Sequence, residues 1–396
     1  MRLLALTNLF PNPYHPTRAP FNRRQLRGLS ERHDVRVIAP IGWVEELKAQ
    51  RAGKPSLPAD RRLIQDGLIV DHPRYYYPPK FGRRWYGEFF RKSVAQTFDR
   101  VVKEFSPDIV LAPWAYPDGW AGVRLGKRYG LPVVVKCHGS DVLLLDENPS
   151  RRRPTQEAVR SADGVIAVSR HLAAHLQKLG VAPQRIRVVV DGVDRQLFRP
   201  GPKADARRRL GLSDGPPVAL FVGNLVPVKG LDIFFTACAR LAAMGVAHRV
   251  VVIGGGALRT TLERQVENLG LGKGVQFKGV LRHEELPDWY QAADLFVLPS
   301  RSEGIPNVLL EASACDTPWV ASKVGGIPEI ADLGRSRLVP PNSPDALADA
   351  IREMLASPPG PPARTPTGWE QCVDELEEFL VSVRDSTRVS TTVGTS

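Results

Sequence analysis

Consecutive apolar, often β-branched positions alternate along this chain with stretches in which apolar residues recur every three to four positions. In the first half, residues 2–7, 34–39, 109–112, 132–137, 164–168 and 186–190 read as strands buried on both faces. Helical spacing over 25–32, 89–105 and 171–179 separates them. The segment Phe198-Arg199-Pro200-Gly201-Pro202-Lys203 punctuates the pattern like a linker, and it then restarts with strands at 217–222, 250–254, 275–279, 294–298, 318–321 and 337–339. The fold class is therefore α/β, with two Rossmann-like, doubly wound domains at 1–197 and 198–366. Open sheets of this kind bind ligands beyond the carboxyl ends of their strands, which predicts a central cleft lined by both domains. After a helix at 344–356 the proline-rich 357–362 cannot stay helical. An amphipathic helix follows at 369–384, its apolar face formed by Trp369, Val373, Leu376, Phe379, Leu380 and Val383. The Ser/Thr-rich 385–396 is expected to be disordered.

Candidate chemistry concentrates in residues 298–312, where a strand runs into Ser300-Arg301-Ser302-Glu303-Gly304-Ile305-Pro306-Asn307-Val308 and then a helix. Pro306 fits the first turn of that helix. The free amides of Gly304, Ile305, Asn307 and Val308, with the positive end of the helix dipole, suit a phosphate. Glu303 and Glu311 flank this anion site, where carboxylates make sense as acceptors for sugar and ribose hydroxyls. Lys229 follows a buried strand and precedes a helix at 230–244, so its ammonium reaches the same strand ends. His138 ends a strand of the first domain and is followed by Gly139-Ser140-Asp141. The run Ile253-Gly254-Gly255-Gly256-Ala257-Leu258 lacks the third glycine and the later acidic residue of a dinucleotide fingerprint.

Glu303 and Glu311, with seven residues between them, resemble the Glu-x7-Glu motif of family 4 retaining glycosyltransferases, which have the GT-B fold. The segments 137–141, 221–230 and 324–329 are similar to further motifs of that family in the same order, and the whole most resembles bacterial exopolysaccharide and teichuronic-acid biosynthesis members. The resemblance implies that Glu303 holds hydroxyls of the transferred sugar, Glu311 holds the ribose, Lys229 grips the pyrophosphate and His138 contacts the sugar near its anomeric centre. It also implies that Gly254 and Gly255 lie near the base, that the first domain serves the acceptor, and that the final helix crosses back onto it. Asn224 stands where the family usually has Arg, and donates hydrogen bonds without charge. The family's glycine-rich first loop is replaced by Pro16-Thr17-Arg18-Ala19-Pro20-Phe21, so either the Arg18 side chain substitutes for amide contacts or the acceptor loop differs.

Composition narrows the setting. No apolar run approaches the length of a spanning helix and the amino terminus does not read as a signal peptide, so a cytoplasmic enzyme is expected. Four cysteines without paired spacing indicate neither disulfides nor zinc, and no Asp-x-Asp offers a divalent ion two carboxylates, so no metal or other cofactor is expected. Residues 1–195 hold 33 Lys+Arg against 19 Asp+Glu, and the remainder holds 21 against 23. An anionic partner and an arginine-rich genome both produce such a bias. Aromatics and cations interleave over 75–92, which reads either as core with solvated arginines or as a segment resting on the cytoplasmic face of an anionic membrane through Arg83, Arg84, Arg91 and Lys92. The expected partners are a nucleotide-sugar donor, a glycan or lipid-linked acceptor and that membrane surface. The competing classes are a nucleotide-sugar 2-epimerase using Glu and His as acid and base, and a nucleic-acid-binding protein for which no recognition motif is present.

Overall fold

The computed structural model describes residues 1–79, 85–146, 149–212, 215–358 and 360–393. The chain divides into two compact units, Met1–Asp191 with Trp369–Ser396, and Gly192–Gly368.

The first unit contains β1 (Arg2–Leu6), β2 (Asp34–Ile38), β3 (Ile41–Gly42), β4 (Arg62–Gln65), β5 (Leu68–Asp71), β6 (Arg74–Tyr75), β7 (Ile109–Ala112), β8 (Val133–Cys137), β9 (Gly164–Ala167) and β10 (Ile186–Val188). Eight of these form one sheet in the order β10-β9-β8-β7-β1-β2-β5-β4, parallel except for the β4/β5 pair. β3 and β6 make a separate small ribbon. The β4/β5 hairpin turns at Asp66 and Gly67, both with positive φ (51° and 80°), the backbone of a two-residue turn whose twist matches its strands. Leu3, Ala5, Val37, Ile109, Leu111, Val134 and Ile166 of the sheet share a core with Leu26 and Leu29 and with Cys372, Val373, Leu376, Phe379, Leu380 and Val383 of the final helix. That helix thus belongs to the first unit, although the second unit precedes it in sequence.

The second unit contains β11 (Val218–Val222), β12 (Arg249–Ile253), β13 (Val275–Gly279), β14 (Leu295–Leu298), β15 (Trp319–Ser322) and β16 (Ser336–Val339). Their order is β13-β12-β11-β14-β15-β16, parallel throughout, which is the doubly wound arrangement with a reversal between its first and fourth strands. Leu220, Phe221, Phe234, Phe235, Phe296 and Trp319 are fully buried in it.

Three expectations change. The boundary falls at 191/192 instead of 197/198, because the Asp191 carboxylate is bound by Lys136 inside the first unit while the Val193 amide bonds the Thr367 carbonyl at 2.9 Å in the second. Phe198, read as linker, is 1% exposed and packs on His283 and Tyr290. Of the tail expected to be disordered, residues 385–393 continue the helix Trp369–Val393, and 394–396 lie outside the described residues. Its hydroxyls bond back along the helix, Ser386 to the Ser382 carbonyl and Thr387 to that of Val383, and Arg388 pairs with Asp108 at 2.6 Å. With the final helix included, the first unit holds 34 Lys+Arg against 24 Asp+Glu and the second 20 against 18, so the helix offsets part of the basic bias.

Candidate active site

In the second unit the strand order reverses between β11 and β14, and the loops leaving their carboxyl ends carry the charged candidates. The β11 loop passes through Asn224 to Lys229 and the β14 loop through Ser300 to Pro306. Lys229 Nζ donates to Glu303 Oε1 at 2.6 Å, and Ser300 Oγ donates to the same oxygen at 2.6 Å. The two loops are tied by the Arg301 amide on the Val228 carbonyl (2.7 Å) and by the Arg301 guanidinium on Asp232 (2.6 and 3.0 Å). Backbone crowding then fixes them. A Cβ at Gly230 would lie 2.1 Å from the Pro299 carbonyl oxygen and one at Gly325 would lie 1.8 Å from that of Glu303, and both residues have positive φ. Glu303, its side chain 10% exposed, is thus an acceptor held by two donors and locked in place by its own backbone.

The helix Asn307–Ala314 starts immediately beyond. Pro306 precedes it in an extended conformation (ψ 115°) instead of forming its first turn, so the helix begins one residue later than expected. Gly304, Ile305 and Pro306 are buried, Asn307 and Val308 half-buried, and Gly304 is anchored by its carbonyl to the Gly326 amide at 2.9 Å. Farther along this helix Glu311 is 7% exposed and accepts from His283 Nε2 at 2.8 Å on one oxygen and from Tyr290 Oη at 2.9 Å on the other. Burial and the Glu311 charge raise the Tyr290 hydroxyl well above its ordinary range, which keeps it a donor. Asn224 is exposed. Gly254 and Gly255, in the β12 loop, take part in backbone hydrogen bonds to Gly279 (2.8 Å) and Leu225 (2.9 Å) that knit this loop to its neighbours.

In the first unit His138 leaves the end of β8 beneath Phe21 (ring centroids 4.8 Å) and Trp114 (6.0 Å, stacked). Burial and the neighbouring Lys136 charge lower its pKa to about 3, so the imidazole is neutral at physiological pH. Lys136 is itself fully buried and bonds Asp191 at 2.6 Å, and Gln25 bonds the same oxygen at 2.8 Å. Asp141 explains the rest of the His-Gly-Ser-Asp motif, since its carboxylate accepts from the amides of His138 (3.1 Å), Gly139 (2.9 Å) and Ala115 (3.1 Å) and so shapes the loop that carries His138. Arg18 is bound to Glu45 at 2.9 Å. Among the membrane-facing candidates, Arg83 and Arg84 lie outside the described residues, and the others are less free than the sequence implied. Arg91 is bidentate on Glu88 (2.9 and 2.6 Å) and Lys92 lies 3.9 Å from the same carboxylate.

The structure therefore brings Lys229, Glu303 and Glu311 into one unit's strand ends, and adds Ser300, His283 and Tyr290. Ser300 was within reach of inspection, being three residues from Glu303 in the same loop. His283 and Tyr290 come from the β13 loop and the helix Leu286–Ala292, and nothing in their spacing announces Glu311. Among the described residues no cluster of three or more His, Cys, Asp or Glu side chains is placed to hold a metal, and no helix is long and apolar enough to cross a membrane.

Two doubly wound α/β units, the second with carboxylates and a lysine at its strand reversal, define the class of GT-B glycosyltransferases. Residues 202–366 match the model described as glycosyl transferases group 1, and residues 21–197 that of glycosyltransferase family 4. The D-inositol 3-phosphate glycosyltransferase 1 of Catenulispora acidiphila is 33% identical over 361 residues, covering 82% of this chain and 83% of the relative. A Bacillus subtilis protein named for teichuronic acid biosynthesis, TuaC, is 29% identical over 89% of this chain and 88% of its own. The chain belongs to this glycosyltransferase family and is a glycosyltransferase. The fold is shared with sucrose-phosphate synthase from Thermosynechococcus elongatus (TM-score 0.75, 22% identity, 99% of each chain). It is also shared with Anabaena HepE, solved with UDP-glucose (TM-score 0.69, 17% identity, 99% of each chain).

Proposed function

We propose that this chain moves a sugar from a nucleoside-diphosphate sugar to a glycan or lipid-linked acceptor of cell-surface polysaccharide synthesis, with retention of anomeric configuration and without a metal ion. The observation that carries the reading is the contact of Lys229 with Glu303 beside the amino end of the helix Asn307–Ala314. An ammonium and a helix end are suited to the charge of a departing diphosphate, and one well-placed donor of this kind contributes about 3–4 kcal/mol in a transition state. Glu303 accepts hydroxyls of the sugar, Glu311 those of the ribose, and Asn224 adds an uncharged donor. A neutral His138 supplies a hydrogen bond to the sugar. The epimerase alternative needs an imidazole that exchanges protons near neutral pH, which burial and Lys136 oppose.

The first unit's remaining basic excess, with Trp85 52% exposed and Tyr76 55% exposed, supports a reversible hold on the cytoplasmic leaflet, where a lipid-linked acceptor presents its sugar. Because Arg91 and Lys92 share Glu88, this hold rests less on them than on the remaining cations.

The deciding experiment incubates the protein with UDP-, GDP- and ADP-sugars, with and without EDTA, and follows nucleotide release and the anomeric configuration of the product. Release that persists in EDTA with retained configuration is the expected result. Loss in EDTA restored by magnesium, or an inverted product, overturns the corresponding part.

A further inference from the structure

Glu311 is held from two sides by residues distant in sequence. His283, in the turn after β13, donates through Nε2 to Oε1, and Tyr290 donates through Oη to Oε2. An ionised carboxylate only accepts, so the hydrogen of the His283 contact sits on Nε2. Phe198 closes against both donors from behind, edge-on to the His283 ring at 4.9 Å and to Tyr290 at 5.9 Å. Tyr290 is fully buried, whereas the side chains of His283 and Glu311 keep 26% and 10% of their surface. The open side of the carboxylate is therefore the side that His283 borders. Each oxygen has about two acceptor sites, and each spends one on a protein donor. One site per oxygen remains, which matches two hydroxyls on adjacent carbons.

We infer that His283, with Tyr290, is a positioning residue for nucleotide recognition: it fixes the Glu311 carboxylate so that both oxygens meet the vicinal 2′- and 3′-hydroxyls of the donor's ribose. The inference rests on the proposed role of Glu311 and adds how that role is enforced. A glutamate without these donors has three rotatable bonds to order when the nucleotide arrives. Immobilising such a side chain costs enough to weaken binding about two- to tenfold, and the loss falls on the ribose contacts alone.

The test measures binding of the full chain to whichever nucleoside diphosphate it prefers among UDP, GDP and ADP, and to the 2′,3′-dideoxy form of that nucleotide, by titration calorimetry. The wild type is expected to favour the ribonucleotide by about tenfold or more, the scale of a lost charge-assisted hydrogen bond. His283→Ala is expected to cut that preference about two- to tenfold while binding the dideoxynucleotide as before, with a rise in donor KM larger than any fall in kcat. His283→Gln, which returns an amide donor at similar reach, is expected to recover it. Tyr290→Phe deletes only a hydroxyl and gives the same readout if His283→Ala fails to fold. A His283→Ala or Tyr290→Phe protein that keeps the wild-type ribose preference, while Glu311→Ala loses it, overturns the positioning role. A wild type with no preference for ribose over dideoxyribose overturns the ribose assignment of Glu311 itself.

Discussion

Lys229 and Glu303 share one hydrogen bond yet have opposite proposed duties, and substitution separates them. Lys229→Ala removes the charge proposed to meet the leaving diphosphate, and turnover is expected to fall about 100-fold or more, read as kcat at saturating donor. Glu303→Gln keeps the shape and the bond to Lys229 but weakens the acceptor for sugar hydroxyls, and should fall by a similar factor. A Lys229→Ala enzyme within a few fold of wild type refutes the assignment. Burial, working against the Asn8 amide and the Thr7 hydroxyl, raises Asp118 to about 7. The native carboxyl then keeps its proton up to about pH 7 while the unfolded chain releases it near 4. The native state binds more protons between these values, so stability present at acid pH is lost as pH rises through the window. Asp118→Asn abolishes that loss. Its melting temperature relative to wild type should be higher at pH 8 than at pH 5 by several degrees, on the order of 3 kcal/mol. A difference independent of pH contradicts the raised value.

At the scale of elements, the final helix meets the sheet at a glycine. A Cβ on Gly164, at the start of β9, would lie 2.8 Å from a Val383 methyl and 2.9 Å from the Phe379 ring. Gly164→Val overpacks this contact, with an expected cost of about 1–3 kcal/mol in chemical denaturation. Val383→Ala in the same chain should return part of it, and two effects that simply add place the strain elsewhere. The parallel strands other than β5 and the β3/β6 pair were legible as short runs rich in apolar, often β-branched residues, ended by turn residues. The β4/β5 hairpin was not called, although Asp66-Gly67 between Leu63-Ile64 and Leu68-Ile69 is a strong turn signal. Its outward Ile64, 78% exposed, breaks the alternation that marks a half-buried strand. The β3/β6 ribbon of two residues per strand is too short to leave any period. In the site, Glu303 and Glu311 were visible through their spacing, while His283 and Tyr290 meet Glu311 only through the tertiary fold. Asn307 and Pro306 were placed correctly as a loop-to-helix junction but shifted by one residue, the usual uncertainty of a helix start.

At the scale of the molecule, Cys372, Val373, Leu376, Phe379, Leu380 and Val383 are each at most 8% exposed within the first unit's core. Burying side chains of this size contributes about 1.5–3 kcal/mol each, which together rivals the whole stability of a typical domain. A chain ending at Gly368 is therefore expected to lose the first unit while the second still folds. Limited proteolysis checks this by leaving a protected fragment covering 192–368, and a fully active truncated enzyme refutes it. The same arrangement has a consequence for how the protein is made. The second unit emerges from the ribosome complete, whereas the first waits roughly 180 residues for its last helix. At about 5–20 residues per second this is a delay of roughly 10–35 s. Throughout that interval Leu26, Leu29 and the inner face of the first sheet lack their cover. Folding order is thus the reverse of sequence order, and the amino-terminal half of the nascent chain is the part that calls for a chaperone.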